Sequence, residues 1–168
     1  DKTQWRYDAA TGLMTNKVYA DGTTVKYGYT NNGLLATRTW ARLDGSAPLV
    51  TSYSYSNDAL VKVDYSDGTP DIVYTLGRMG RPASAEVSGV STSFFAYNAR
   101  GQLVAETNEY FGLTVVKTYL FDSLGRPAGF DIGNDYSIRY GFDPYGRFLS
   151  VTSTIAGTVR TFTYSWDE

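Results

Sequence analysis

Apolar and polar positions alternate along most of this chain in short runs, and turn residues separate the runs. Residues 24–29 (TVKYGY) and 51–55 (TSYSY) show the pattern, with an aromatic or β-branched side chain at every second position. Such residues at a period of two favour the half-buried face of a β-strand. Apolar residues at the helical spacings i, i+3, i+4 and i+7 are not sustained anywhere. The chain is therefore predicted to be all-β, without a substantial helix.

The predicted strands recur in a tandem unit of about 22 residues, which indicates a repeat architecture. An aromatic residue, here called the marker, opens each unit at positions 7, 29, 55, 74, 97, 121, 142 and 164. In the clearest copies an Asp follows the marker, and Gly and Arg stand four and five residues after it. Those copies are Phe121, Asp122, Gly125 and Arg126, and Phe142, Asp143, Gly146 and Arg147. Looser copies are Tyr7, Asp8 and Gly12; Tyr29 and Gly33; Tyr55; Tyr74, Gly80 and Arg81; Tyr97 and Gly101; and Tyr164, which opens an eighth, interrupted copy.

Each unit is predicted to be a hairpin, because a second Gly-containing turn stands about midway between markers, as at Asp21-Gly22 and Asp67-Gly68. In residues 143–146 (DPYG) the Asp accepts hydrogen bonds from the following amides, Pro presets φ, and Gly takes the left-handed position. After the turn, an apolar column is predicted to enter the next strand. Its members are Met14, Leu35, Val61, Pro82, Leu103, Pro127 and Phe148.

Residues two positions before the markers are aromatic in seven of eight units, and residues two apart in a strand share a face. They are Trp5, Tyr27, Tyr53, Ile72, Phe95, Tyr119, Tyr140 and Phe162. We call them the aromatic ladder. Cross-strand aromatic pairs along it are expected to fix the strand register and to form the packed or concave face.

Composition and charge exclude several classes of function. The 168 residues include 15 Lys and Arg against 17 Asp and Glu, a net charge of −2 without a run of either sign, so a nucleic-acid partner is not predicted. There is no Cys and no His. Disulfides, thiolate zinc sites, imidazole catalysis and Ser-His triads are therefore ruled out, and neither a cofactor nor an enzymatic activity is predicted.

Both ends of the sequence favour a piece of a longer protein. Asp1 stands a few residues before a Tyr-Asp pair, and residues 164–168 stop inside the next unit. The sequence has no run of about 18 apolar residues and no basic-then-apolar leader. Neither a membrane span nor a signal peptide is predicted within this segment.

The aromatic-Asp pair, the Gly-Arg that follows it and the period near 22 resemble YD repeats, the repeats of Rhs proteins. Similar repeats occur in the C components of insecticidal toxin complexes and in animal teneurins. The resemblance covers the whole chain and is strongest over residues 121–127 and 142–148. In the first three units Leu13, Leu34 and Leu60 replace the usual arginine.

The resemblance implies that successive hairpins pair edge to edge in one curved sheet that spirals into a hollow shell. In bacterial members the shell encloses a toxin domain, and a closing region carries a plug and, in many, an aspartate autoprotease. Residues 142–147 form an ordinary repeat, and no equivalent of that region is found in this sequence. We therefore expect a section of shell wall from a secreted or cell-surface bacterial protein.

Three aspartates, Asp8, Asp122 and Asp143, are candidates for paired catalytic carboxylates, as in glycoside hydrolysis or aspartic proteolysis. Each occupies the same turn position, however, and the turn accounts for it. We therefore assign none of them to catalysis. A small hydrolase would need two carboxylates from different hairpins to converge.

Arg81, Arg126 and Arg147 follow turn glycines and are candidates for a ligand clamp. Packing on a neighbouring ring or bonding to a turn carboxylate is the preferred interpretation. The acidic stretch 64–71 does not have the spacing of a calcium loop, so no metal site is predicted.

The 15 tyrosines support a second class of function, because aromatic platforms stack on sugars and suit protein contacts. A carbohydrate-binding or adhesive module with a glycan partner is therefore the alternative to the shell. Sequence alone does not separate a packed ladder from an exposed platform.

Together these observations predict one array of seven to eight units over residues 1–168, without chemistry of its own. The expected fold is a curved sheet of tandem antiparallel hairpins, with two packed sheets or a four-bladed propeller as alternatives. A one-layer sheet leaves an aromatic face and two end strands to be covered. The expected partners are neighbouring repeats of the parent protein, a second copy in a dimer, or toxin cargo.

Overall fold

The computed structural model describes residues 2–167, which form fifteen β-strands and one short 3-10 helix, Arg78–Gly80. The chain divides into two compact units, the first ending at Val90 and the second beginning at Ser91. The strands of the first unit are β1 (Gln4–Tyr7), β2 (Met14–Val18), β3 (Thr24–Tyr29), β4 (Leu35–Asp44), β5 (Ala47–Ser56), β6 (Ala59–Tyr65), β7 (Ile72–Leu76) and β8 (Pro82–Val87). The strands of the second unit are β9 (Ser91–Tyr97), β10 (Leu103–Tyr110), β11 (Leu113–Phe121), β12 (Pro127–Ile132), β13 (Tyr136–Phe142), β14 (Phe148–Ile155) and β15 (Thr158–Thr163). The prediction of an all-β chain without a substantial helix is confirmed.

Within each unit every strand pairs antiparallel with the next strand along the chain. The predicted tandem hairpins are therefore confirmed. The alternative of four-stranded propeller blades is wrong, because β4 and β5 continue the hydrogen-bonded ladder: Thr37 stands opposite Ser52, and Arg38 opposite Thr51. Within residues 2–167, no helix is long and apolar enough to cross a membrane.

A β-bulge recurs at the same place in seven hairpins, next to the marker. In the β3–β4 hairpin, Gly28 pairs with Thr37 but Tyr29 pairs with Leu35, so Ala36 has no partner. The equivalent residues in all seven hairpins are Thr15, Ala36, Val61, Ala83, Val104, Ala128 and Leu149. A bulge bends its strand and increases the local right-handed twist, so every unit repeats the same distortion.

Two register predictions are corrected by these pairings. The marker of the fourth repeat is Leu76 and not Tyr74, because Leu76 pairs with Pro82 in the way that Phe121 pairs with Pro127. In the apolar column, Leu60 replaces Val61, which is the bulge residue. The third turn is shorter than the others, so the residue that pairs with the marker Tyr55 is Leu60, one position earlier than the predicted Val61.

With Leu76 as the marker, Tyr74 becomes the ladder residue of the fourth repeat in place of Ile72. All eight ladder positions are then aromatic. The predicted pairing of ladder residues with one another is wrong. Ladder residues stand on every second strand, about 10 Å apart. Their direct partners belong to the strand between them: Arg38 stands opposite Tyr27, Val63 opposite Tyr53, and Val151 opposite Tyr140.

The ladder side of the first unit carries its buried residues. Val25, Leu49, Thr51 and Val63 are buried, and pairing and alternation place all four on the face of Tyr27 and Tyr53. The opposite face carries short polar and charged side chains such as Thr37, Ser52, Lys62 and Asp64. In the second unit, Gly129 is the only buried residue among those that the structure describes. Each unit therefore buries little side-chain volume.

Candidate functional site

The turns after the markers carry the repeat signature, and two of them share one hydrogen-bond pattern. In the turn that begins at Asp122, the Asp122 amide donates to the Arg126 carbonyl at 2.9 Å, and Gly125 donates to the Asp122 carbonyl at 2.9 Å. Oδ1 of Asp122 accepts from the amides of Leu124 and Arg126, both at 2.9 Å. The Asp143 carboxylate does the same with Tyr145 and Arg147 at 2.9 and 2.8 Å. One carboxylate oxygen thus closes each turn.

The arginine of the signature binds the other oxygen of the same carboxylate. Nε of Arg126 donates to Oδ2 of Asp122, and Nε of Arg147 to Oδ2 of Asp143, each at 2.7 Å. Burial alone would raise the pKa of both carboxyls, but hydrogen bonds from the arginine amide and guanidinium outweigh it and hold each pKa below its ordinary value. The Asp and Arg are therefore a charged pair inside one turn.

The turn of the fifth repeat reproduces this arrangement with uncharged side chains. Oδ1 of Asn98 accepts from the amides of Arg100 and Gln102, both at 3.0 Å. Nδ2 of Asn98 then donates to Oε1 of Gln102 at 2.9 Å, in the place of the Arg–Asp pair. The geometry therefore requires an acceptor after the marker and a side chain that reaches back to it, but not an ion pair.

The remaining turns vary this arrangement. The turn from Asp8 to Gly12 is one residue longer, and the hydroxyl and amide of Thr11, each 2.8 Å from Oδ1, lower the pKa of Asp8. In the second repeat, Oγ1 of Thr30 accepts from the amide of Leu34 at 3.1 Å. The third turn consists of Asn57 and Asp58 alone, both at positive φ.

The fourth turn places a glycine at the position of the missing aspartate. Gly77 follows the marker Leu76 and donates to the Arg81 carbonyl at 2.8 Å. Gly80, at φ 70°, occupies the left-handed position that Gly125 takes at φ 82°. The sequence Gly80-Arg81-Pro82 matches residues 125–127, and this offset was the signal for the correct marker.

Successive turns contact one another along one edge of the second unit. Nε2 of Gln102 donates to the Gly125 carbonyl at 2.7 Å. The guanidinium of Arg126 lies 4.4 Å from the ring centre of Phe142, which is the next marker. It also lies close to the following turn, because a Cβ built on Gly146 would stand 3.0 Å from Nη1 of Arg126. The residue five positions after one marker therefore packs on the turn that follows.

Marker tyrosines of the first unit make a second inter-repeat bond that the sequence analysis missed. The hydroxyl of Tyr29 donates to the Met14 carbonyl, and that of Tyr55 to the Leu35 carbonyl, each at 2.8 Å. Met14 and Leu35 are the partners of the preceding markers Tyr7 and Tyr29. Burial, with a smaller contribution from Tyr53, raises the pKa of Tyr55. The sequence signal that could have predicted this bond was the presence of Tyr rather than Phe at these marker positions.

The carboxylates considered for catalysis form their hydrogen bonds inside their own turns. Asp8, Asp122 and Asp143 each bind partners no more than four residues away. Within residues 2–167, no group of three or more acidic, His or Cys side chains could hold a metal ion. Arg126 and Arg147 bind turn carboxylates, as the preferred interpretation of these arginines expected. The signature residues thus build and connect turns.

Among comparisons with known proteins, no family model and no curated protein matches this sequence. The fold is similar to part of a chain in the crystal structure of TcdB2-TccC3-Cdc42, with a TM-score of 0.78 and 16% sequence identity over 96% of this chain. This chain spans only about a tenth of that one, 10% of its length. The structure of TcdB2-TccC3-TEV aligns with 96% of this chain and 13% of the other at 11% identity, with a TM-score of 0.29. The likeness to the first structure establishes the fold: the chain folds like a segment of the matched TcdB2-TccC3-Cdc42 chain, and this fold fits the YD/Rhs repeat that the sequence pattern predicted.

Proposed function

We propose that this chain is a wall segment of a YD-repeat shell that encloses or presents another protein, and that it has no chemistry of its own. The observation that carries the proposal is the shared construction of successive hairpins. Seven of them have a marker pair and a bulge, and three in succession have a turn closed by Asn98, Asp122 or Asp143. Such repetition builds an extended surface rather than a single site. The fold likeness to the TcdB2-TccC3 chain supports the same reading.

The repeated bulge supports the curvature that a wall needs. A flat sheet of many strands does not close, whereas bulges at fixed positions bend and twist each strand. Thr15, Ala36 and Val61 in the first unit, and Val104, Ala128 and Leu149 in the second, bend each of their hairpins at the same place. The proposed parent protein is a secreted or cell-surface bacterial protein, with residues 1–168 as one section of its array.

Protease protection in the parent protein tests this function. A polypeptide enclosed by the shell should resist a protease that digests it rapidly once the shell is unfolded in denaturant. Equal rates of digestion before and after unfolding would contradict enclosure. Mass spectrometry of the protected fragments would identify the enclosed polypeptide.

The edge strand β15 bears on the partner of this segment. All its residues are exposed, and within the described part of the second unit it pairs only with β14. Val159 and Phe162 expose 60% and 63% of their surface. An exposed strand of this kind is a template for another strand, so a further repeat or a second copy is the proposed partner. Light scattering that shows only monomer in the isolated segment would argue against the second copy.

A glycan-binding or adhesive module remains the second candidate because of Tyr145. Its side chain is 84% exposed at the tip of a turn, with the guanidinium carbon of Arg147 5.4 Å from the ring centre, and an exposed ring of this kind can stack on a sugar. A glycan array with the unmodified chain and Tyr145→Ala tests this candidate. Glycan binding that is lost in the variant would support this candidate. An array on which the unmodified chain binds no glycan would favour the shell function instead.

A further inference from the structure

The turn of the second repeat contains the one Asn-Gly pair of the sequence, Asn32-Gly33. An asparagine loses its side-chain amide when the backbone nitrogen of the next residue attacks Cγ, and a side chain on that next residue hinders the attack. Gly33 has no side chain to do so. The other asparagines all precede residues with side chains; they are Asn16, Asn31, Asn57, Asn98, Asn108 and Asn134. Asn32 is therefore the asparagine whose neighbour hinders this reaction least.

The Asn32-Gly33 pair lies at the surface, in a turn that has room to open. Asn32 is exposed. Among the described residues, the nearest atom to a Cβ built on Gly33, apart from those of its chain neighbours, is Cδ1 of Leu13 at 3.9 Å. The Gly33 amide donates to the Thr30 carbonyl at 2.9 Å, so its nitrogen reaches Cγ only after this bond breaks. A hydrogen bond in a surface turn opens at a small part of the free energy of global unfolding, so the fold slows the reaction without preventing it.

Two other asparagines show what the pair combines. Asn98 is held by three hydrogen bonds inside its own turn, and a residue with a side chain follows it. Asn134 is exposed like Asn32, but Asp135 follows it, and the side chain of Asp135 shields the backbone nitrogen that would attack. Exposure and a following glycine are combined at position 32 alone. Asn134 is therefore the internal reference for Asn32.

We propose that Asn32 is a site of spontaneous deamidation, with water as the co-reactant. The backbone nitrogen of Gly33 forms a bond to Cγ of Asn32 and loses its proton. The bond between Cγ and Nδ2 breaks, and Nδ2 takes up that proton and leaves as ammonia. Water then opens the resulting five-membered imide. Cleavage between the nitrogen and Cγ leaves an aspartate, and cleavage between the nitrogen and the backbone carbonyl carbon leaves an isoaspartate, whose backbone runs through the former side chain.

The reaction changes the contact between two neighbouring turns. In the unmodified chain, Nδ2 of Asn32 donates to Oδ1 of Asp58 at 3.2 Å and so joins the turn of the second repeat to that of the third. An ionised carboxylate in place of the amide has no proton to donate. It also repels the carboxylate of Asp58. Deamidation therefore replaces an attractive contact between successive hairpins with a repulsive one.

Peptide mapping by mass spectrometry tests the proposal on the full chain, incubated in buffer at 37 °C. Trypsin releases residues 27–38 as one peptide, and fragment ions distinguish Asn32 from Asn31. Asn32 is expected to convert to aspartate and isoaspartate several-fold faster than Asn134. The rate should rise with pH, because base ionises the attacking nitrogen. Conversion of Asn134 at an equal or faster rate, or no conversion of Asn32, would overturn the proposal.

Two variants test whether the following residue controls the reaction. Gly33→Ala adds a Cβ beside the attacking nitrogen and should slow conversion of Asn32 several-fold. Because φ is 79° at Gly33, this variant also strains the turn. Asp135→Gly is the complementary variant, since it creates a second exposed Asn-Gly pair and should speed conversion of Asn134 several-fold. Unchanged rates in both variants would overturn the proposal.

The charge that the reaction introduces is tested by substitution. Asn32→Asp carries the charge of the product without the rearranged backbone. It should lower the urea midpoint of unfolding at low ionic strength, and added salt should reduce the difference. Asp58→Asn in the same chain removes the opposing charge and should restore the midpoint. A midpoint for Asn32→Asp equal to that of the unmodified chain, or no recovery in the double variant, would overturn the repulsive contact.

Discussion

The side-chain amide of Gln102 donates a hydrogen bond of 2.7 Å to the carbonyl oxygen of Gly125, and so joins the turn of one repeat to the turn of the next. Arg126 makes the corresponding approach to Phe142 through its guanidinium plane. In both cases the side chain five residues after the marker closes its own turn and contacts the following one. Hairpins of the second unit are thus connected outside the backbone ladder.

Gln102→Ala should destabilise the second unit by about 1 kcal/mol, because it removes the bond to Gly125 and the bond to Asn98. The measurement is the free energy of unfolding in urea, followed by circular dichroism. Gln4→Ala, at an exposed position of β1, is the matched control and should have no measurable effect. Equal midpoints for Gln102→Ala and the unmodified chain would show that the contact between turns does not contribute.

Acid should weaken the sixth and seventh turns in particular. The pKa of Asp122 and of Asp143 lies below the ordinary value of 3.8 in the folded chain, so their stabilisation is complete above that value and is lost as the pH falls through the folded pKa. Unfolding in urea at pH 7 and at pH 3 measures the effect. The double variant Asp122→Asn with Asp143→Asn should lose less stability between these pH values than the unmodified chain. An identical loss would contradict the role of the two carboxylates.

Gly129→Ala should destabilise the second unit by about 3 kcal/mol. Gly129 is buried at φ 144°, and a Cβ built there would collide with the carbonyl oxygen of Ile138 on the neighbouring strand. Gly157→Ala is the control, because φ is 81° there but no atom lies within 4 Å of the built Cβ. The control should cost only the conformational strain, about 1 kcal/mol. Thermal unfolding that ranks the two variants equally would contradict the steric argument.

Tyr29→Phe should cost about 1 kcal/mol, because it removes the hydroxyl that donates to the Met14 carbonyl and leaves that acceptor without this partner. Tyr145→Phe removes a hydroxyl from a side chain that is 84% exposed and should be neutral. Urea unfolding of both variants measures the difference. A neutral Tyr29→Phe would mean that water replaces the lost bond.

The hairpins and the Asp-closed turns could be predicted from sequence because their chemistry is local. Asp122, Gly125 and Arg126 lie within five residues. The backbone geometry of that turn favours an acceptor at the first position and glycine at the second, and the third side chain has only to reach back to the acceptor. The marker of the fourth unit was misplaced because a tyrosine stood near the expected interval. Its Gly80-Arg81-Pro82 triplet has the same offset from Leu76 as residues 125–127 have from Phe121.

The bulges and the ladder partners could not be predicted, because they depend on which residue of a neighbouring strand stands opposite. The seven bulge residues are three alanines, two valines, one threonine and one leucine, so no single side-chain type marks the bulge. Ladder residues share a face, but one strand separates each ladder residue from the next. Their regular recurrence in the sequence therefore did not reveal which residues of the intervening strand stand opposite them.

The two-residue turn at Asn57 and Asp58 shows that the marker pair, Tyr55 with Leu60, survives the loss of a whole turn motif. Register in this array is therefore set within each hairpin and is not inherited from the length of the loop before it. An insertion or deletion confined to a turn is therefore expected to leave the strand pairs on either side in register, so the turns are the positions where this array tolerates changes of length.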